Sequence, residues 1–233
     1  FDVRSGLTSN LVFSVVQDHQ GRIWAGLDSG LMYFERGRWH QFSDSRLAQG
    51  QVRSLFVDRN GALWVGTMGG GVSEVRGLEV RSYNHASGLV NDVIRGGIKQ
   101  GPDGSIWIGT EGGLSRLLDG QFTNFSAHNG FPPQPVFAVH IDAEGTAWLG
   151  TAGGGLVRIK DGKIAHFDSA DGLADDMAFS ILEDKQGYLW MSCNRGIYRV
   201  AKKDLQAHAD GLLVRVPCDL FGRGDGLKDP ECN

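Results

Sequence analysis

Seven histidines, His19, His40, His85, His128, His140, His166 and His208, are the side chains whose type suits proton transfer or metal binding. Most fall in polar stretches that read as turns or solvated strands. His140 differs, because it lies in the apolar run Val136 to Ile141. Glu183 is the one acid in a comparable run. Glycoside hydrolysis would need two carboxylates roughly 5–10 Å apart, and spacing along the chain supplies no such pair. Nucleophilic acyl transfer would need a serine on a strained elbow, and no Gly-x-Ser-x-Gly is present. The cysteines, Cys193, Cys218 and Cys232, form no Cys-x-x-Cys pair, so neither a zinc site nor a redox motif is indicated. The glycine-rich stretches lack the Gly-Lys-Ser/Thr that cradles phosphate. No catalytic residue, no metal site and no cofactor is therefore assigned.

The elements that must position these residues are set by a repeat. Trp24, Trp64, Trp107, Trp148 and Trp190 recur forty to forty-three residues apart, and Trp39 stands outside the register. An aspartate and then a glycine precede most of them: Asp18 and Gly21, Asp58 and Gly61, Asp142 and Gly145, Asp184 and Gly187. The third repeat departs, with Asp103 directly before Gly104. Two residues after each tryptophan comes Gly26, Gly66, Gly109, Gly150 or, in the fifth copy, Ser192. A second glycine-rich turn follows, and an aromatic closes the first four units at Phe42, Tyr83, Phe125 and Phe167. In the fourth unit the apolar runs are 136–141, 146–150, 156–159 and 163–167. They are too short for helices and are bounded by turn residues, which is an all-β signature. Four strands per unit of about forty residues is the arithmetic of a propeller blade.

The expected fold is therefore an all-β β-propeller of four-stranded antiparallel blades. Five repeats fall at 8–42, 50–83, 90–125, 132–167 and 174–216, in one domain over 1–233. Residues 217–233 are expected to start a following repeat or form a tail. The blades close a five-bladed ring or form an arc of a larger one, completed by further sequence or by a second chain. Asp and Gly in the first turn act as turn formers, since Asp bonds amides two residues on and Gly reaches positive φ. The first strands align Ser14, Ser54, Gly97, Ala138 and Ser180, all small, next to Val15, Leu55, Ile98, Val139 and Ile181, all bulky. Neighbours on a strand point to opposite faces, so each blade has a thin and a thick face. The tryptophans are expected to pack between blades, with a backbone carbonyl as the partner of each indole N–H. His140 shares its column with Val16, Phe56, Lys99 and Leu182.

The phrase Gly-Leu, short strand, Asp-x-x-Gly-x-Ile/Leu-Trp-x-Gly-Thr, then Gly-Gly-Leu resembles the two-component regulator propeller repeat. The likeness covers Phe1 to Phe167 and continues through Arg199. The stretch from Asn194 to Val200, Gly226-Leu227 and the final Glu231, Cys232 and Asn233 is similar to the last part of such sensor propellers. The resemblance implies a periplasmic or extracytoplasmic ligand sensor of a bacterial signal-transduction protein. In that family a membrane span and a histidine kinase or diguanylate cyclase lie further along the parent chain. Phe1 resembles the last residue of an outer strand, as if the piece were cut from a longer array.

In a propeller, the loops entering the first strands and those joining second to third strands share one mouth. There the expected ligand-binding residues are Arg53, Asn91, Asp92, Glu111, Asp175, Asp176 and Arg195, with His140 placed to reach either the axis or a gap between blades. Asn10, Gln51, Asp28 and Met68 belong to the same loops. Mixed amides, acids and arginines suit a small polar ligand such as an oligosaccharide. The alternatives are a protein-binding scaffold, self-associating as a homo-oligomer, and a lyase or hydrolase using His140 or Glu183. A net charge of −4 provides no basic footprint for nucleic acid. No apolar run approaches the ~18 residues of a membrane span, so any membrane link runs through parent segments. The 35 glycines among 233 residues, about twice the usual share, fit a chain with many tight turns.

Overall fold

A computed structural model describes residues 1–229. Five four-stranded antiparallel sheets follow one another, each a simple meander in strand order. Sheet 1 holds β1 (Val12–Gln17), β2 (Ile23–Leu27), β3 (Gly30–Glu35) and β4 (Arg38–Phe42). Sheet 2 holds β5 (Val52–Val57), β6 (Leu63–Thr67), β7 (Val72–Arg76) and β8 (Glu79–Tyr83). Sheet 3 holds β9 (Ile98–Gln100), β10 (Ile106–Thr110), β11 (Gly113–Leu118) and β12 (Gln121–Phe125). Sheet 4 holds β13 (Val136–Ile141), β14 (Ala147–Thr151), β15 (Leu156–Lys160) and β16 (Lys163–Phe167). Sheet 5 holds β17 (Ser180–Glu183), β18 (Tyr188–Cys193), β19 (Gly196–Ala201) and β20 (Asp219–Phe221).

Where the sequence led to one domain, the chain divides into two compact units. Residues 1–100 and 104–125 carry sheets 1 to 3, and residues 101–103 with 126 onward carry sheets 4 and 5. The fifth repeat also differs from its expected span, because its fourth strand lies beyond residue 216. A helix, α1 (Lys202–Ala209), starts at the end of β19 and delays β20. Only Leu205 of this helix is buried, so it carries almost no apolar period to read in the sequence. After β20 a 3-10 turn at Arg223–Asp225 and Gly226 at φ 98° repeat the linker form seen at Gly6 and Gly88. Glu231, Cys232 and Asn233 lie outside the described residues. Cys193 is buried and Cys218 half-buried, both as free thiols, and burial pushes both above the ordinary thiol range.

The hairpins follow from their turn residues. Arg36-Gly37, Asp119-Gly120 and Asp161-Gly162 all have both φ angles positive. That is the two-residue turn whose twist matches the flanking strands. The glycine after each tryptophan has a separate reason. A Cβ on Gly26 would stand 2.6 Å from Val52 Cγ1, and one on Gly66 would stand 2.6 Å from Ile94 Cγ2. On Gly150 it would stand 2.4 Å from the Ala178 carbonyl oxygen. Within each unit, then, the second strand of one sheet lies bare against the entry of the next. The tryptophans pack across the same junctions. Trp24 clusters with Val52 and Leu63 of sheet 2, and Trp64 with Leu89, Ile94 and Ile98 at sheet 3. Trp148 clusters with Ala178, Ile181 and Leu189 at sheet 5.

The expected carbonyl partner of the indoles is replaced by the turn aspartate. Trp24 Nε1 donates to Asp18 Oδ2 at 2.7 Å, and Trp64 to Asp58 Oδ2 at 3.1 Å. Trp148 donates to Asp142 Oδ2 at 3.1 Å, and Trp190 to Asp184 Oδ2 at 2.7 Å. The other oxygen of each aspartate accepts two turn amides, for Asp142 those of Glu144 and Thr146. Turn forming and indole anchoring are thus one device. The hairpin brings the turn carboxylate back over a side chain six residues on, a closure that spacing alone does not reveal. In the third repeat Trp107 donates to Ser105 Oγ at 2.9 Å instead. Burial pushes Asp18 upward, but bonds from Trp24 and Arg22 outweigh it and hold the carboxyl below its ordinary value. Asp142 behaves likewise, with bonds from Trp148, Thr146 and Lys202. Asp184 is lowered first by Trp190 and then by the Tyr188 amide.

Candidate functional site

Loops entering the first strands do meet the loops joining second to third strands, within each unit. In the first unit Met68 bridges Val93, and Gly69 and Gly71 donate to the Asp92 carbonyl at 3.1 and 2.9 Å. In the second, Ala152 bridges Met177 and Gly155 donates to the Asp176 carbonyl at 2.8 Å. These contacts fix where the candidate residues stand and what they hold.

Four of them hold their own loops. Asn91 Oδ1 accepts the Val93 amide at 2.8 Å and Asp175 Oδ1 the Met177 amide at 2.9 Å, both Asx turns. Asp92 Oδ1 accepts the His85 amide, and Asp176 accepts both the amide and the hydroxyl of Ser169. Ser9 and Asn10 do the same for Leu11 and Val3 in the first repeat. Glu111 pairs with Arg95 at 2.5 Å. Arg195 donates to the Ala174 carbonyl at 2.7 Å. Arg53 donates to Gln51 Oε1 at 2.9 Å, and its guanidinium lies 3.7 Å from the centre of the Phe13 ring.

His140 stands apart from these loops, at the far end of β13. Its Nε2 lies 2.9 Å from Glu183 Oε2, whose other oxygen pairs with Lys202 Nζ at 2.6 Å. Lys202 also reaches Asp142 Oδ2 at 3.1 Å, the oxygen that takes the Trp148 indole. Both oxygens of Glu183 are therefore engaged, and the first residue of α1 is tied to sheets 4 and 5. The arrangement is an ion-pair clamp on the helix, and it places His140 away from the loop residues it was grouped with.

The contact of Arg53 with Phe13 brings in phenylalanines that the repeat pattern had not marked as candidates. The register of the first strand shifts between Val12 and Ser14, Val52 and Ser54, and Val136 and Ala138. Phe13, Arg53 and Phe137 are the extra residues at these bulges, and Phe179 directly precedes β17. A bulge re-aims its side chain. Arg53 accordingly stacks on Phe13 between sheets 1 and 2, and Phe137 stacks on Phe179 between sheets 4 and 5 at 5.8 Å and 17°. Both phenylalanines of the second pair are half-buried. The available signal was the column just before the small residues, Phe13, Arg53, Gly96, Phe137 and Phe179.

The described residues contain no group of His, Cys, Asp and Glu that could hold a metal ion. No helix among them is long and apolar enough to cross a membrane.

The two-component regulator propeller model matches residues 6–29, 46–69, 88–112 and 172–195. These are two-component regulator propeller repeats. Each matched stretch runs from the residue before the linker leucine through the first two strands of its sheet. The matches leave out the entry to sheet 4, where Pro133-Gln134-Pro135 replaces the Asx frame of sheets 3 and 5. No curated protein matches the chain. Among solved structures, it is similar to the extracellular domain of the putative hybrid two-component system BT4673 from B. thetaiotaomicron. That likeness has a TM-score of 0.71 at 21% identity, over 92% of this chain and 31% of the other. The extracellular domain of BT3049 from the same organism gives 0.57 at 23%, over 97% and 36%. The chain thus spans about a third of the length of those domains. Virginiamycin B lyase from Staphylococcus aureus gives 0.68 at 15%, over 91% and 69%. At these identities the likeness is one of fold.

Proposed function

We propose that this chain is a ligand-sensing propeller module of a signal-transduction protein. It works outside the cytoplasm, as part of a membrane-anchored sensor, and takes a small polar ligand such as an oligosaccharide. Its five sheets act as radial blades, in a ring or an arc, and it performs no chemistry of its own. The stacked pair at the loop end of each unit carries this reading. Phe137 with Phe179, and Phe13 with Arg53, present flat faces beside loops rich in amides and carboxylates. A flat apolar face with a few fixed polar groups is how a site holds a polyhydroxylated ring. Support for sensing comes from the propeller repeats and from the extracellular sensor domains that share the fold.

The test is calorimetric titration of a panel of neutral oligosaccharides into the chain. Each ring contributes about 1 kcal/mol, so Phe137→Ala with Phe179→Ala should weaken a saturable ligand about tenfold or more. Binding that survives both changes at full strength, or turnover lost on His140→Ala, would count against this reading.

A further inference from the structure

The junction between sheets 1 and 2 is built differently from the other two junctions within units. In sheet 2 the turn after β6 donates two amides to the carbonyl of Asp92, and in sheet 4 Gly155 donates to Asp176. These bonds close the groove between neighbouring sheets. Sheet 1 has instead a two-residue turn, Asp28 and Ser29, between the paired Leu27 and Gly30. Among the described residues no backbone bond joins this turn to the loop entering β5. At the repeat position of Asp92 that loop carries Gly50, at φ 124°. A Cβ there would stand 2.7 Å from the Met68 carbonyl oxygen, so no side chain can fill the gap. A cavity of about 690 Å³ remains, within the ~300–1,000 Å³ range of small-molecule sites.

Its lining sets the ligand chemistry. Asp28, Gln41, Gln49 and Gln51 provide polar walls, and Leu31 and Val52 an apolar floor. No lysine or arginine lines it among the described residues. Asp44, the other acid on the wall, is already bridged by Arg46 at 2.9 and 2.7 Å. Arg53 lies outside the lining, held by Phe13 and Gln51 with its Nε buried and unpaired. The Asp28 carboxylate differs from that of Asp44. Its Oδ1 is shut off from solvent with no partner. A carboxylate with one oxygen desolvated and unpaired is costly, and a cation against its outer oxygen offsets that cost through a charge-assisted bond. A neutral hydroxyl can also donate to the carboxylate, but it brings no opposing charge, so the Coulomb attraction of an ion pair is missing.

We propose that this cavity binds a small organic ammonium, its cation seated against Asp28 and its carbon body on Leu31 and Val52. The site uses none of the stacked pair of the second unit, so it stands or falls separately from the oligosaccharide reading. The probes are benzylamine and benzyl alcohol, isosteres that differ by the cation, with maltose as a neutral polyol. Each is titrated into the full chain at pH 7 and followed by amide-resolved NMR. Benzylamine should shift amides around Asp28, Gln49 and Gln51 saturably, and should bind at least tenfold more tightly than benzyl alcohol. Asp28→Asn keeps a turn-forming side chain, so the melting temperature should hold while that preference disappears. Phe137→Ala with Phe179→Ala should leave it intact. Equal binding of the two isosteres, preference for maltose, an unchanged preference in Asp28→Asn, or no saturable shift at these amides would each overturn the proposal.

Discussion

Gly150→Ala should destabilise the second unit by about 3 kcal/mol, the upper end for overpacking a well-filled junction. The new methyl would meet the Ala178 carbonyl oxygen at 2.4 Å and the Ala178 Cβ at 2.8 Å. A carbonyl in the entry of sheet 5 cannot swing aside as a long side chain can. The two sheets must move apart, which also loosens Trp148, Ile181 and Leu189 in the same cluster. The same repeat position in sheet 5 is Ser192, opposite Ser180. A Ser192→Ala control therefore adds no atom and should stay within about 0.5 kcal/mol. Urea unfolding followed through tryptophan fluorescence checks both, provided the slope is unchanged. Equal midpoints for Gly150→Ala and the unsubstituted chain would show that the thin face is not a packing requirement.

Asp142→Ala should cost about 3–5 kcal/mol, the range for breaking a buried charge network by removing one partner. Four donors lose their acceptor: the amides of Glu144 and Thr146, the Trp148 indole and the Lys202 ammonium. The carboxylate side chain is only 3% exposed, so water cannot replace it without rearrangement. Asp142→Asn keeps one acceptor and should fall between the two. The charge also carries a pH dependence. Asp18, Asp142 and Asp184 are held below their ordinary 3.8 in the folded chain. Their contribution is complete above that unfolded value and is lost as pH falls through it toward the folded value. Stability should therefore drop below about pH 4, and Asp142→Asn should flatten part of that drop. An Asp142→Ala chain as stable as its parent at pH 7 would mean the bonds are incidental.

Much of this architecture could be read from local chemistry. The fourth repeat gave strands at 136–141, 146–150, 156–159 and 163–167, and the structure has Val136–Ile141, Ala147–Thr151, Leu156–Lys160 and Lys163–Phe167. Apolar runs between Asp-Gly turns leave little freedom in where such strands begin. The thin and thick columns were legible for the same reason, since alternation needs only the strand period. What stayed hidden depends on closure in three dimensions. The indole of Trp148 and the carboxylate of Asp142 meet only once the first hairpin has formed. A bulge adds one residue, so Phe137 leaves the face that alternation gives it. Helix α1 buries a single leucine and leaves no period to find. His140 could be placed on its strand, but its partner Glu183 stands on the first strand of the next sheet, and that pairing is not visible along the chain. The loop candidates Asn91, Asp92, Asp175 and Asp176 could be named from the repeat, but that their side chains hold backbone amides could not.

Indole proton exchange, resolved for each tryptophan by NMR, examines the carboxylate anchor most directly. The N–H groups of Trp24, Trp64, Trp148 and Trp190 should exchange slowly, and Asp142→Ala should speed Trp148 by tenfold or more while leaving Trp24 and Trp64 unchanged. A Trp148 indole that exchanges at the same rate with and without the Asp142 carboxylate would contradict the account.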